Sequence, residues 1–389
     1  MLNRGKAVAA LLSLGLLAGC QAGAEPAAKT AAPNVPSPTG EASPAAVPSV
    51  PVTPSKKPEA VKTSVAPRLL PKPGNPNGRA RIPAAARPVD TGKPTRTVGD
   101  GTAASCTSAA VVKAVAAGGI ITFDCGPEPV TITMKKTAKV RNASSKVVLD
   151  GGGRVTLSGG GQRRILYMNT CDEAQGWTTS HCQDQDTPRL TLQNMAFTRG
   201  NSTGETAEGG GGGAVFVRGG HLRIINSRFT GNRCDRTGPD LGGAAVRVLD
   251  QGGDDPVYVT GSTFTGGVCS NGAALSSIGV SWTVLNSRFS GNEAVGRGAN
   301  PARPGTPGGG SGGAIYLDGN RFTLTLDGTV IEKNRAAEGG GAVFFVSNDR
   351  TGTMTVRDST LRGNRSAGFE TAGQPGIFFL GAKLIRASG

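Results

Sequence analysis

The sequence predicts an all-β solenoid, a fold of stacked coils whose strands run parallel. Two alternating motifs, with no helical periodicity between them, carry that prediction. The first motif is Gly-Gly-Ala-apolar or a near variant: Gly212-Gly213-Ala214-Val215, Gly242-Gly243-Ala244-Ala245, Asn271-Gly272-Ala273-Ala274, Gly312-Gly313-Ala314-Ile315 and Gly340-Gly341-Ala342-Val343. The second is a short strand that closes on Asn: NMAFTRGN to Asn201, NSRFTGN to Asn232, GSTFTGG to Gly267, NSRFSGN to Asn292, GTVIEKN to Asn334 and DSTLRGN to Asn364. Its anchors Phe197, Phe229, Phe264, Phe289, Ile331 and Leu361 are 32, 35, 25, 42 and 30 residues apart, an irregular period of solenoid size.

Each coil offers two or three short strands, with alternation plain in Thr353-Met354-Thr355-Val356 and Leu222-Arg223-Ile224-Ile225. One coil cannot bury its apolar face. Stacking coils about 4.8 Å apart pairs each strand with its counterpart and turns the anchors into an inward column. Double glycines permit a tight turn before the strand. A second column lies three residues before each anchor: Asn194, Asn226, Gly261, Asn286, Gly328 and Asp358. Asn, Asp and Gly tolerate left-handed backbone, so this column reads as a structural ladder at a bend.

The repeated GGA[IV] and FxxN motifs resemble those of polymorphic membrane proteins and related bacterial right-handed parallel β-helix proteins. The resemblance covers about Val98 to the C-terminus. It implies a right-handed parallel β-helix and a role as an adhesin. Chlamydial members also carry a C-terminal membrane barrel; no barrel-length series of strands follows the repeats here, so their mode of export is not implied.

The domain opens at Gly99-Asp100-Gly101-Thr102, and GDGTAASC…AAGGIITFDCG resembles the start of bacterial β-helix domains. Thr107 to Ala117 reads as a short helix, capped by Thr107, stopped by Gly118-Gly119, with Ala110, Val111, Ala114 and Val115 on one face. Such a helix should plug the open N-terminal end. Ile120–Phe123, Val130–Thr133 and Val147–Asp150 follow as strands. The fold expected for residues 98–389 is therefore a right-handed parallel β-helix with a short N-terminal capping α-helix.

Upstream, Arg4 and Lys6 precede the apolar run Ala7 to Ala18, which reads as a secretion signal over residues 1–20. Leu17-Ala18-Gly19-Cys20 matches the bacterial lipobox. The match implies cleavage before Cys20 and lipidation of its sulfur, hence an envelope location anchored in membrane lipid. Gln21 favours the outer membrane if the organism is Gram-negative. Residues 21–97 are rich in Ala, Pro, Thr and Ser; Gln21 to Arg96 holds 16 of the 25 prolines and no aromatic residue, too little apolar area to fold. As a coil this linker would span roughly 50 Å, and about 200 Å or more fully extended. Ten Lys or Arg between Lys56 and Arg96 face only Glu59 and Asp90; the charge reads first as keeping a solvated linker soluble, and the alternative is contact with anionic envelope polymer or headgroups. It lacks the aromatics that stack on nucleic-acid bases, and no nucleic-acid partner is expected.

Apart from Cys20 there are six cysteines: Cys106, Cys125, Cys171, Cys182, Cys234 and Cys269. An even set in an exported chain suggests disulfides. Cys234 and Cys269 each lie five residues after an anchor Phe, so they occupy equivalent places in successive coils and should be bonded. Cys171 and Cys182 bracket one loop, and Cys106 and Cys125 flank the helix and first strand. The only histidines, His181 and His221, fall in separate coils, so neither a zinc site nor any other metal or cofactor is expected.

The inserted lengths Gly200–Gly211, Arg233–Leu241, Glu293–Ser311, Arg335–Glu338 and Arg365–Gln374 all fall between an Asn-closed strand and the next glycine turn. They should stack on one side and form the contact surface. Arg233, Arg335 and Arg365 follow a closing Asn and Arg199 lies close to the same place, so a row of guanidiniums is expected, suited to an anionic polysaccharide or a host or neighbouring cell surface. Acidic loop residues, among them Glu205, Asp235, Asp240, Glu293 and Glu338, interrupt it, and local pairing across the loops is the simpler outcome. Catalysis has weaker support. Asp254-Asp255, Asp184 with Asp186, and Asp235 with Asp240 are the carboxylate pairs, all in turns or loops, and no residue is assigned a catalytic role. The expectation is a lipid-anchored, non-enzymatic β-helix for adhesion or glycan binding; the alternative is a polysaccharide lyase or glycoside hydrolase with an unfamiliar site.

Overall fold

The computed structural model describes residues 69–207, 210–253 and 255–387. The signal segment, Cys20 and the linker as far as residue 68 lie outside the described residues.

The described residues form a right-handed parallel β-helix of four all-parallel sheets. Sheet 1 has ten strands, from Arg96–Val98 to Lys383–Ala387. Sheets 2 and 3 have eight each, running from Val130–Thr133 to Thr360–Arg362 and from Ala138–Lys139 to Ile377–Leu380. Sheet 4 is a short ladder of Val268–Cys269, Glu293–Ala294, Arg335–Ala336 and Arg365–Ser366. One coil visits sheets 1, 2 and 3 in turn, and the chain crosses from 2 to 3 through the inserted lengths that hold sheet 4.

The anchors form the expected inward column in sheet 2, extended at its start by Ile132 and Leu157. Phe197, Phe229, Phe264 and Phe289 stack with centroids 4.8 Å apart, which is the coil spacing itself. In sheet 3 the matching inward column is Leu166, Val215, Val246, Leu275, Ile315, Val343 and Ile377.

The bend column also forms. Asn194, Asn226, Gly261, Asn286, Gly328 and Asp358 all have φ between 43° and 59°, at the corner between sheets 1 and 2. Next to it runs an internal hydroxyl ladder. Ser262, Ser287, Thr329 and Ser359 each accept from the backbone N–H one coil earlier and lie near their own preceding carbonyl. The closing Asn residues do the same for buried backbone: Asn292 Oδ1 accepts from Gly267 N at 3.0 Å, and Asn292 Nδ2 donates to Phe264 O at 3.1 Å.

Register differs from the motif alignment in two places. The feature shared by the five coils that carry the glycine motif is a left-handed glycine three residues before the first inward residue of sheet 3: Gly212, Gly243, Gly272, Gly312 and Gly340. A Cβ there would fall 2.2–2.6 Å from the carbonyl oxygen three residues on, so the position demands glycine. Gly242-Gly243-Ala244-Ala245 and Asn271-Gly272-Ala273-Ala274 are therefore aligned by their second residue, not their first. Likewise Gly200, not Asn201, occupies the closing-Asn column, because its N–H donates to Asn232 Oδ1 at 2.8 Å. Asn201 bridges to Arg233 instead.

The helix α1 spans Ser108–Ala117, with Thr107 Oγ1 accepting from Ala110 N and Gly118 ending it at φ 68°. Val111, Ala114 and Val115 are buried in the main core, so α1 closes the first coil as expected.

The linker boundary is revised. Residues 69–95 lie on the corner between sheets 1 and 2 as an extended strap. Leu70 N donates to Gly153 O, Gly74 N to Thr263 Oγ1, Asn75 N to Asn286 O and Asn75 Nδ2 to Gly328 O. The strap then returns: Asn286 exchanges two side-chain bonds with Ala80, Val89 N donates to Gln193 Oε1, and Thr91 Oγ1 donates to Asp150 Oδ2. A proline-rich chain has few N–H groups to satisfy, and the bend column supplies free carbonyls and amides to those that remain. Composition alone registers missing apolar area and not that supply.

Candidate functional site: the loop-bearing side

Outward positions of sheet 3 are buried, contrary to the usual alternation of a solvent-facing strand. Tyr167, Phe216, Arg247, Ser276, Tyr316, Phe344 and Phe378 form one outward column in register. Phe216, Arg247, Ser276, Tyr316 and Phe344 are each at most 2% exposed. The inserted loops fold over this face and cover it. Arg164 donates to the Gly211 and Gly212 carbonyls and stands over the Tyr167 and Phe216 rings, 5.7 and 5.0 Å from their centroids. Phe369, from the last inserted length, packs edge-on against Phe344 and Phe378.

The 293–311 loop is clamped by polar contacts. Asn300 Nδ2 donates to Asp240 Oδ1 and Asp318 Oδ2, both at 2.7 Å, and also to the Tyr316 hydroxyl. The Tyr316 hydroxyl donates to Asp318 Oδ2 at 3.0 Å. Burial raises the Asp318 carboxyl and pushes the Tyr316 phenol well above its ordinary value. Arg247 is fully enclosed, its Nη1 donating to Ser276 Oγ, and burial pulls its guanidinium down to about 10. Further along, Glu338 accepts from Gly298 N at 2.9 Å and from Arg303 Nη2 at 2.8 and 3.0 Å, which fixes the far end of the same loop.

The clamped loop, together with sheet 4, walls a cleft of about 580 Å³. Arg236, Arg297 and Arg335 line it, as do Glu293 and the Arg303–Glu338 pair. The Arg297 and Arg335 side chains make no ion pair or hydrogen bond among the described residues, and neither does that of Arg236. All three are exposed. Glu293 is thus the one lining carboxylate not already bound to a guanidinium, set against three uncommitted cations.

The predicted arginine row is present only in part. Arg335 and Arg365 are direct neighbours in sheet 4. Arg233 belongs to the same column, but Val268 and Glu293 stand between it and Arg335. Arg199 lies outside that column, two residues before Asn201, at φ 51°. Sequence reasoning missed Arg236, Arg297 and Arg303. Their loops differ in length from coil to coil, so motif spacing could not place them; the available signal was the arginine content of the 233–241 and 293–311 insertions.

Of the carboxylate pairs, Asp186, Asp235 and Asp240 are each engaged by other groups. Asp186 accepts from Arg189 and sits 2.9 Å from His221 Nε2, Asp235 Oδ1 accepts from Gly204 N, and Asp240 serves Asn300. Asp254 lies outside the described residues. Among the described residues no group of three or more His, Cys, Asp or Glu side chains is placed to hold a metal ion. The six cysteines form Cys106–Cys125, Cys171–Cys182 and Cys234–Cys269, the last joining equivalent places in successive coils with Cα atoms 4.8 Å apart.

No protein-family model matches the chain, and neither a curated protein nor a solved structure matches it.

Proposed function

We propose that this chain is a non-catalytic envelope protein, held in the membrane by lipid on Cys20, that grips an anionic polysaccharide through the loop-side cleft. The carrying observation is the group of Arg236, Arg297 and Arg335, exposed around one cleft while Glu338 is consumed by Arg303. Guanidinium forks suit paired contacts with carboxylate or sulfate. Arg365 continues the basic surface one coil beyond Arg335, in the direction a polymer would follow. The lipobox, the Pro/Ala-rich linker and the resemblance to polymorphic membrane protein repeats support an adhesive role at the cell surface.

The test is retention on immobilised polysaccharides, sulfated and uronic, at low and high salt. Arg297→Gln with Arg335→Gln should weaken binding at least tenfold near 0.1 M salt, where the screening length is about 10 Å, and the loss should shrink as salt rises. Arg233→Ala should matter less, because two coils separate Arg233 from Arg335. Unchanged far-UV circular dichroism would show that the variants fold. An unaltered protein with no salt-sensitive retention on any anionic polymer would refute the proposal.

A further inference from the structure

A second cavity, of about 190 Å³, opens on the outer face of sheet 1. Its floor comes from three successive strands: Arg189, then His221 and Arg223, then Tyr258. Ala85 of the strap and Asp255 complete the walls. Ala85 is the strap's contribution to the lining.

Charges here are unequally committed. Asp186 is shared by Arg189 and His221. Arg223 has no carboxylate partner among the described residues; its Nη1 donates to the Ala85 carbonyl oxygen at 3.1 Å. Burial, then the nearby charge of Arg189, holds the Arg223 guanidinium below its ordinary value. A half-buried cation beside a second cation gains from an arriving anion. Asp255 is exposed and offers acceptors to hydroxyl groups, and Tyr258 lines the cavity beside it. The cavity has room for one ring and not for a chain.

We propose that this cavity binds a single acidic sugar unit, its carboxylate on the Arg223 and Arg189 guanidiniums, its ring against Tyr258 and its hydroxyls toward Asp255. The site shares no residue with the loop-side cleft, so the two proposals stand or fall separately. Because Ala85 belongs to the strap, occupancy and strap docking are linked: ligand stabilises the docked strap by mass action.

The experiment is a titration of the full chain with sodium glucuronate, followed by calorimetry and by amide hydrogen exchange in residues 79–89. Glucuronate should bind saturably, at least tenfold more tightly than glucose or inorganic sulfate, and should slow exchange in the strap. Arg223→Gln should weaken binding at least tenfold and Arg189→Gln at least fivefold. Arg223→Gln also removes the bond to Ala85, so Arg189→Gln and the exchange response of the unaltered chain give tests free of that bond. The proposal is overturned by absence of saturable binding or by equal affinity for glucose or sulfate. It is equally overturned by indifference to both arginine variants, or by strap exchange that saturating ligand leaves unchanged.

Discussion

Replacing Asn292 with alanine tests whether the closing-Asn ladder holds the coils together. Asn292 is 1% exposed and lies mid-solenoid. Its Oδ1 accepts from Gly267 N at 3.0 Å, and its Nδ2 donates to Phe264 O at 3.1 Å and to Asn334 Oδ1 at 2.9 Å. Alanine removes all three bonds where water has no access. The orphaned Gly267 N–H alone costs about 1–3 kcal/mol, and the two other lost bonds about 1 kcal/mol each, so the expected loss is about 3–5 kcal/mol. Asn364→Ala is the internal comparison. Asn364 makes the equivalent bonds, accepting from Asn334 N at 3.1 Å and Asn334 Nδ2 at 2.9 Å and donating to Ile331 O at 2.9 Å, but is half-exposed in the last coils, where water can replace the lost groups, so its loss should be about 1–2 kcal/mol. Asn292→Asp keeps an acceptor toward Gly267 but aims carboxylate oxygen at the Phe264 carbonyl, and should be at least as harmful as alanine. Urea unfolding is the assay, read by circular dichroism and by fluorescence of Trp282, which is fully buried. Two probes are needed because solenoid coils can unfold in blocks. A cost for Asn292→Ala below about 1 kcal/mol, or equal to that of Asn364→Ala, would refute the idea that the ladder carries stability.

Peptide mapping of the unreduced protein should find Cys234 joined to Cys269; the double serine variant should lose about 2–4 kcal/mol, and a free thiol at either position would exclude the bond. Glu332 is held below its ordinary value by Arg362 first and Arg288 second, apart from an opposing effect of burial. Its stabilising effect is therefore present above about pH 4.5 and lost as pH falls through the lower folded-state value. Glu332→Gln should cost about 1–2 kcal/mol at pH 7, since both arginines are partly exposed, and should flatten acid unfolding below pH 4.5. An unchanged acid profile would remove Glu332 from that account. Cys20→Ala should release the protein from the membrane fraction; retention after a high-salt wash would mean another anchor.

The sequence by itself determined the coils. The anchor column, the left-handed bend column, the capping helix and the Cys234–Cys269 bond were all legible, because each coil of a solenoid touches chiefly its neighbours. A position that repeats in sequence then becomes a stack in space, and one motif read six times is six observations of one contact. Small slips at Gly243, Gly272 and Gly200 were invisible in the motifs, because what aligns the coils is backbone handedness at one residue and not the residue pair that recurs.

Tertiary structure decided everything that leaves the coil. Residues 69–95 read as linker because they carry few large apolar side chains, yet they dock through hydrogen bonds that Asn286, Gly328 and Gln193 supply from 104 to 253 positions away. The outward aromatics of sheet 3 are core because loops of unequal length fold over them. Both clefts follow from those two events: the loop side gathers Arg236, Arg297 and Arg335, and the strap walls the Arg223 cavity with Ala85. Periodicity fixes which residues stack, but a loop's path is set by the partners it meets, and those partners lie outside the repeat.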